Sequence, residues 1–178
     1  MLLPQTLSSA TLYKGKIFDL RVDDIREGDI EYKREIVVHK GSAVIVPIFD
    51  DGTVALVRQY RHAAGKFLLE LPAGSLEIGE DALVGAIREL EEEVGVIAGR
   101  VEKLTEFYVS PGFVTEKMHL FLATDLTETE QNLDGDEIIE LERIALPRAL
   151  DMIDGGLIED AKTIIGLTLS ATKLAARI

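Results

Sequence analysis

The chain has 178 residues, 47% of them apolar, which is enough to bury the core of one domain, or of a domain with a small appendage. Its 32 acidic against 19 basic residues give a formal net charge of −13, which opposes an extended nucleic-acid or anionic-membrane partner but allows a small phosphorylated ligand held through metal ions. With no cysteine, a disulfide framework, a thiolate metal site and a cysteine nucleophile are all excluded, and without a leader-like or membrane-length apolar run the chain reads as a soluble, cytoplasmic protein.

Taken in chain order, Ile17 to Arg26 and Ile30 to His39 alternate polar and apolar residues around Glu27-Gly28-Asp29, the pattern of a peripheral hairpin. SAVIVPIF (42–49) and TVALVRQYR (53–61) are β-branched runs about the turn Asp50-Asp51-Gly52, which predicts central strands. FLLEL (67–71) is a short buried strand stopped by Pro72. VEKLTEFYV (101–109), MHLFLAT (118–124) and EIIELERI (137–144) follow as further strands. Pro147 suits the first turn of a helix to about Asp154, and Leu157 to Ala176 is long and amphipathic. The expected fold is α+β or α/β, with a mixed sheet between helices (41–178) and a small N-terminal antiparallel sheet (1–40).

Between the fifth strand and the sixth lies GSLEIGEDALVGAIRELEEEVGV (74–96). On a helix over 80–94, Leu83, Ile87, Leu90 and Val94 share one stripe, the expected core face, while Glu89, Glu92 and Glu93 share another; Gly95 fits the C-terminal cap. The like-charge pairs Glu89–Glu92 and Glu89–Glu93 cost such a helix a few tenths of a kcal/mol each. Arg88 projects about 100° away and is not expected to neutralise the group alone. Clustered carboxylates are the hard oxygen donors that Mg²⁺, Mn²⁺ or Ca²⁺ prefer; a plain solvated acidic face is the alternative.

The segment spells G-x5-E-x7-R-E-L-x-E-E-x-G-V through Gly74, Glu80, Arg88, Glu89, Leu90, Glu92, Glu93, Gly95 and Val96, and so resembles the Nudix hydrolase signature without a mismatch. RQYR (58–61), ELPAG (70–74) and SPG (110–112), with Pro111 sixteen residues beyond Gly95, are similar to the ADP-ribose pyrophosphatase branch. With the run 34–46, the similarity covers about residues 15 to 150.

The resemblance implies a Nudix fold and metal-dependent hydrolysis of a nucleoside diphosphate linked to another moiety, here ADP-ribose cleaved to AMP and ribose 5-phosphate. It makes Glu89 and Glu93 principal ligands of Mg²⁺ or Mn²⁺, Glu92 a ligand or water-mediated partner, Glu80 an auxiliary, and the Ala73 carbonyl a further ligand. Arg88 would orient a glutamate, and Gly74 would let the loop approach the metal. Arg34 and Glu35 would hold the adenosine end, unless they are alternating surface charge; Arg61 would meet phosphate or ribose; Pro111 marks the branch. In the acidic loop Asp134-Gly135-Asp136-Glu137, where the glycine departs from the family pattern, Glu137 would be the base or an additional metal ligand, with Asp136 second; Glu116 would touch ribose or assist the base. Tyr108 and Phe113 are stacking or core residues, and His39, His62 and His119 are structural. The branch also implies a homodimer through the N-terminal strands, and a small-molecule nucleoside diphosphate sugar as the only partner besides. Other sugars such as GDP-mannose or ADP-glucose are the rival substrates. A non-catalytic ADP-ribose-binding module would be expected to have lost box glutamates, all of which are present.

Overall fold

In a computed structural model, which describes residues 3–133, 135 and 138–176, the chain divides into two units. The first comprises Met1–Gly41 and Phe107–Met118. Its strands β1 (Gln5–Lys14), β2 (Asp19–Glu27) and β3 (Ile30–Val38) form an antiparallel sheet in the order β1-β2-β3. The β2–β3 hairpin follows the sequence, its register running from Glu27↔Ile30 to Asp19↔Val38 about a two-residue turn. Strand β1 carried no such signal: QTLSSATLYK is exposed at every position, so no buried face imposes an alternation. Residues 107–118 join this unit through β3. Val37 N–H donates to the Phe113 carbonyl at 2.8 Å, and Thr115 N–H donates back to the Val37 carbonyl at 2.9 Å.

The second unit comprises Ser42–Glu106 and His119–Ile178. It has a sheet ordered β7-β4-β9-β8 and another ordered β10-β5-β6. The strands are β4 (Ser42–Pro47), β5 (Thr53–Arg61), β6 (Lys66–Glu70), β7 (Ala73–Ser75), β8 (Val96–Tyr108), β9 (Lys117–Glu128) and β10 (Ile139–Ala145), the ends of β8 and β9 falling among the first unit's residues. Helices α1 (Ala82–Glu89), α2 (Leu146–Asp154, with Pro147 in its first turn) and α3 (Ala161–Ala175) accompany them. Every residue of β4 is buried, because both of its faces are covered. Ala43 and Ile45 pack with Ala86, Leu90, Val94 and Phe121 on the α1 side. On the opposite face Val46 meets α3 at Gly166, where an added Cβ would strike Leu71 and crowd Val46 and Leu120. Helix α3 starts at Ala161 rather than Leu157, since Asp160 caps it by accepting from Thr163 N–H at 3.0 Å. No described helix is long and apolar enough to cross a membrane.

The helix of the opening motif departs from its expected form in an informative way. Asp81 caps α1 through Leu83 N–H (2.9 Å) and Val84 N–H (3.3 Å), but beyond Glu89 the chain widens into a π-helical turn, Leu90–Val94, ending at Gly95 in the left-handed conformation (φ 70°). Buried positions recur as Gly85/Ala86, Glu89/Leu90 and Glu93/Val94, a spacing of four rather than 3.6. Leu83 and Ile87 therefore drift off the core line, and Leu83 is exposed. Two glutamates rotate inward in their place.

Candidate active site

Glu89 and Glu93 are 6% and 3% exposed, which rules out a solvated acidic face for these two; Glu92 is half-buried and Glu91 lies in solvent. What faces the buried pair is the backbone at the start of β7. Ala73 N–H donates to Glu93 Oε2 at 3.1 Å, and a Cβ on Gly74 would land inside the Glu89 carboxylate, so only glycine lets that carboxylate reach the strand. Proline 72 and the pairing of Ala73 and Gly74 with Val44 and Ala43 hold this backbone against β4.

Arg88 reaches farther than its helical azimuth predicts. Its guanidinium donates to Glu89 Oε1 at 2.8 Å, Glu92 Oε2 at 2.9 Å and Glu80 Oε1 at 3.2 Å, because a long flexible side chain swings across the helix surface and Glu80 comes up from the preceding loop. Burial disfavours the Arg88 charge, but the hydrogen bonds and charges of Glu80, Glu89 and Glu92 outweigh it and raise the guanidinium pKa well above its usual value. Glu80 is held below the usual carboxylate range, first by Glu77 N–H (2.8 Å) and then by Arg88. One cation thus serves three carboxylates, with Glu93 buried beside them, so negative charge exceeds positive in a poorly solvated place.

The donor chemistry suits a hard divalent cation: two buried carboxylates against an open backbone edge. Among the described residues no three acidic or histidine side chains converge on a single metal-holding point, because Arg88 gathers Glu80, Glu89 and Glu92 to itself. Glu137 and Asp136 fall outside the described residues.

A second charged cluster, which sequence reasoning did not single out, adjoins the same strand turn. Glu70, 1% exposed at the end of β6, accepts a two-pronged bond from Arg61 Nε and Nη2, both at 2.7 Å, and a further bond from Lys162 of α3. Lys162 also pairs with Asp160 at 3.0 Å, and Leu71 N–H donates to Thr163 Oγ1 at 2.7 Å. Burial pushes the Glu70 carboxyl up, yet Arg61 and Lys162 more than offset this and hold it below its ordinary value. The Glu70 hydrogen bond raises the Arg61 guanidinium against burial, with smaller contributions from the charges of Glu70, Glu93 and Asp160. FLLEL is not buried throughout as expected, since Phe67 is exposed and only Glu70 and Leu71 are fully covered, but a glutamate inside this apolar run was the available signal, because an unpaired buried charge is prohibitively costly; Lys162, 92 positions along the chain, had none.

The remaining expected residues belong to the first unit. Arg34 is exposed on β3, its guanidinium 4.2 Å over the Tyr32 ring, and Glu35 is exposed beside it. Pro111 sits exposed in a turn closed by Val114 N–H to the Ser110 carbonyl at 2.9 Å. Glu116 Oε1 lies 3.7 Å from His39 Nδ1, which accepts Gly41 N–H at 3.1 Å. Tyr108 and Phe113 are each 55% exposed, so neither is a core residue.

Residues 39–164 match the NUDIX domain family, and the chain belongs to it, as the box at 74–96 implied. It is 39% identical over 162 residues to an ADP-ribose pyrophosphatase of Bacillus subtilis (strain 168), spanning 89% of this chain and 88% of that one. It is also 39% identical over 167 residues to a methanol dehydrogenase activator of Bacillus methanolicus, spanning 92% and 90%. A crystal structure of an ADP compounds hydrolase shares the fold, with a TM-score of 0.88 at 24% identity over 99% of this chain and 97% of the other. The expected mixed α/β architecture with its N-terminal antiparallel sheet is borne out.

Proposed function

We propose that the protein is a divalent-metal-dependent pyrophosphohydrolase acting on ADP-ribose: water adds to one phosphorus, the bridging P–O bond breaks, and AMP and ribose 5-phosphate leave. The observation that carries this reading is the inward rotation of Glu89 and Glu93 onto the Ala73–Gly74 backbone, in an intact box with more carboxylates than cations. Similarity to the Bacillus subtilis enzyme over 89% of the chain supports ADP-ribose as substrate.

Glu89, Glu93 and the Ala73 carbonyl would hold Mg²⁺ or Mn²⁺, with Glu92 completing the set once Arg88 yields it. A bound divalent ion neutralises diphosphate oxygens and lowers the pKa of coordinated water. Gly74 keeps the approach open, and Arg88 fixes the box glutamates in aim. Arg61 offers a guanidinium to phosphate or ribose, a geometry suited to bidentate oxyanions. Glu137, with Asp136 second, takes the proton of the attacking water, or Glu137 adds to the metal shell; Glu116 assists. Arg34 and Glu35 hold the adenosine end, near the loop marked by Pro111. The N-terminal unit dimerises the protein, and the lack of cysteine supports a cytoplasmic setting.

Steady-state kinetics on ADP-ribose, GDP-mannose and ADP-glucose with Mg²⁺ or Mn²⁺ test this reading. The highest kcat/KM is expected for ADP-ribose. A higher value for GDP-mannose would reassign the substrate, and tight ADP-ribose binding with no AMP formed over hours would make the protein a binding module.

A further inference from the structure

We infer that Lys162 is a positioning residue for the diphosphate, acting through Glu70 on the charge and aim of Arg61. The inference rests on the reading above, in which Arg61 meets the diphosphate, and concerns a helix that the Nudix box does not include.

Arg61 is an unusual phosphate binder on its own. Its Nε and Nη2 are both committed to Glu70, and a one-to-one guanidinium–carboxylate pair is formally neutral, so it would attract a dianion weakly. Lys162 changes that balance. Its ammonium donates to Glu70 Oε2, the same oxygen that Arg61 Nη2 contacts, so two cations share one carboxylate and the trio, +1 by itself, offsets one of the two further carboxylates nearby, Asp160 on Lys162 and Glu93, whose charge acts on Arg61. The side chains of Glu70 and Lys162 are 2% and 6% exposed, whereas that of Arg61 is 41% exposed. Arg61, the exposed member, is therefore where an incoming anion meets the charge that Lys162 contributes. Asp160 tempers Lys162 at 3.0 Å through Oδ2, but the same oxygen also accepts from the Thr163 N–H and hydroxyl at the start of α3, which shares its charge with the helix cap.

Geometry makes the same link. Thr163, next to Lys162, holds Leu71 N–H at 2.7 Å, and Leu71 leads through Pro72 into Ala73, whose N–H meets Glu93. The start of α3 thus fixes both the carboxylate that aims Arg61 and the turn that faces the box.

The test compares wild type with Lys162→Met, Lys162→Arg, Glu70→Gln and the double variant Glu70→Gln/Lys162→Met. The readouts are calorimetric binding of magnesium pyrophosphate and ADP-ribose kinetics. Lys162→Met keeps the stem but removes the charge, so the pyrophosphate Kd and the ADP-ribose KM should rise about tenfold while kcat changes less than about threefold. Lys162→Arg should restore both. In the double variant the neutral amide returns the trio to its original formal charge, and Kd should come back to within about threefold of wild type. Glu70→Gln alone, which leaves both cations, should tighten pyrophosphate binding. An unchanged Kd in a folded Lys162→Met, or a double variant no tighter than the single one, overturns the inference. If Lys162→Met does not fold, looser pyrophosphate binding by Glu70→Gln does the same. Should wild type bind pyrophosphate but not hydrolyse ADP-ribose, the functional reading fails while the pyrophosphate comparison still decides the role of Lys162.

Discussion

Two buried charge clusters flank the Leu71–Gly74 turn, and they are built on opposite principles. Around Glu70, two cations and two carboxylates close on one another, with the ends of the acid paired by Arg61 and Lys162. Around Glu89 and Glu93, the Arg88 guanidinium serves Glu80, Glu89 and Glu92, while buried Glu93 accepts the Ala73 N–H and feels the charge of Arg61, so among the described residues carboxylates outnumber cations. The first cluster is complete within the chain and stabilises the fold as it stands. The second carries an excess of negative charge that the fold tolerates, which is what the proposed cation site requires.

The sharpest way to break the comparison is to remove a carboxylate from each side. Glu70→Ala leaves Arg61 and Lys162 without their shared partner, and should cost about 3–5 kcal/mol of stability in denaturant titration. Glu93→Gln should instead leave the metal-free melting temperature unchanged or raised, since it relieves like-charge crowding, while lowering kcat/KM roughly a hundredfold or more. If Glu93→Gln destabilised the fold as much as Glu70→Ala, the two clusters would not differ in kind.

Smaller effects sharpen the contrast. Gly74→Ala should cost about 1–3 kcal/mol, because its Cβ displaces the Glu89 carboxylate, and should weaken Mg²⁺ binding in calorimetry together with activity. The two clusters should also differ in acid. Glu70 titrates below its ordinary 4.5 when folded, so its contribution is fully present above that value and is lost as pH falls through the lower folded value. Glu70→Gln should accordingly flatten the acid limb of a stability-versus-pH curve, and an unchanged limb would remove Glu70 from acid unfolding. Asp81→Ala, at a cap remote from both clusters, should cost only about 1 kcal/mol with kcat/KM nearly preserved.

The sequence was most legible where one local rule governs. The β-branched runs of β4 and β5, the hairpin of β2 and β3, the proline opening α2 and the glycine ending the box all follow from nearest-neighbour chemistry. The box itself was legible as a pattern of charges whose purpose a bare helix does not explain. What escaped depends on distant parts of the chain or on departures from ideal pitch. Strand β1 is exposed throughout and has no apolar period to betray it. The core stripe through Leu83 and Ile87 assumed 3.6 residues per turn, whereas the buried positions repeat every four. The direction of the Arg88 Cα–Cβ bond does not convey the reach of its side chain, which crosses the helix surface to Glu89 and Glu92. Lys162 enters only because α3 returns to β4, which no local reading of residues 157–176 conveys.

The π-helical turn at Leu90–Val94 has a consequence for how this segment tolerates length changes. A wide turn amounts to one residue added to an otherwise even coil, and it sets the angular offset between Glu89 on one side and Glu93 on the other. Excising solvent-facing Glu91 would let the segment relax to uniform pitch with its hydrogen bonds intact, but everything after the cut would rotate by about 100°. Such a protein would keep its helix and lose its aim, so this stretch should accept substitutions at position 91 far more readily than the loss of that residue.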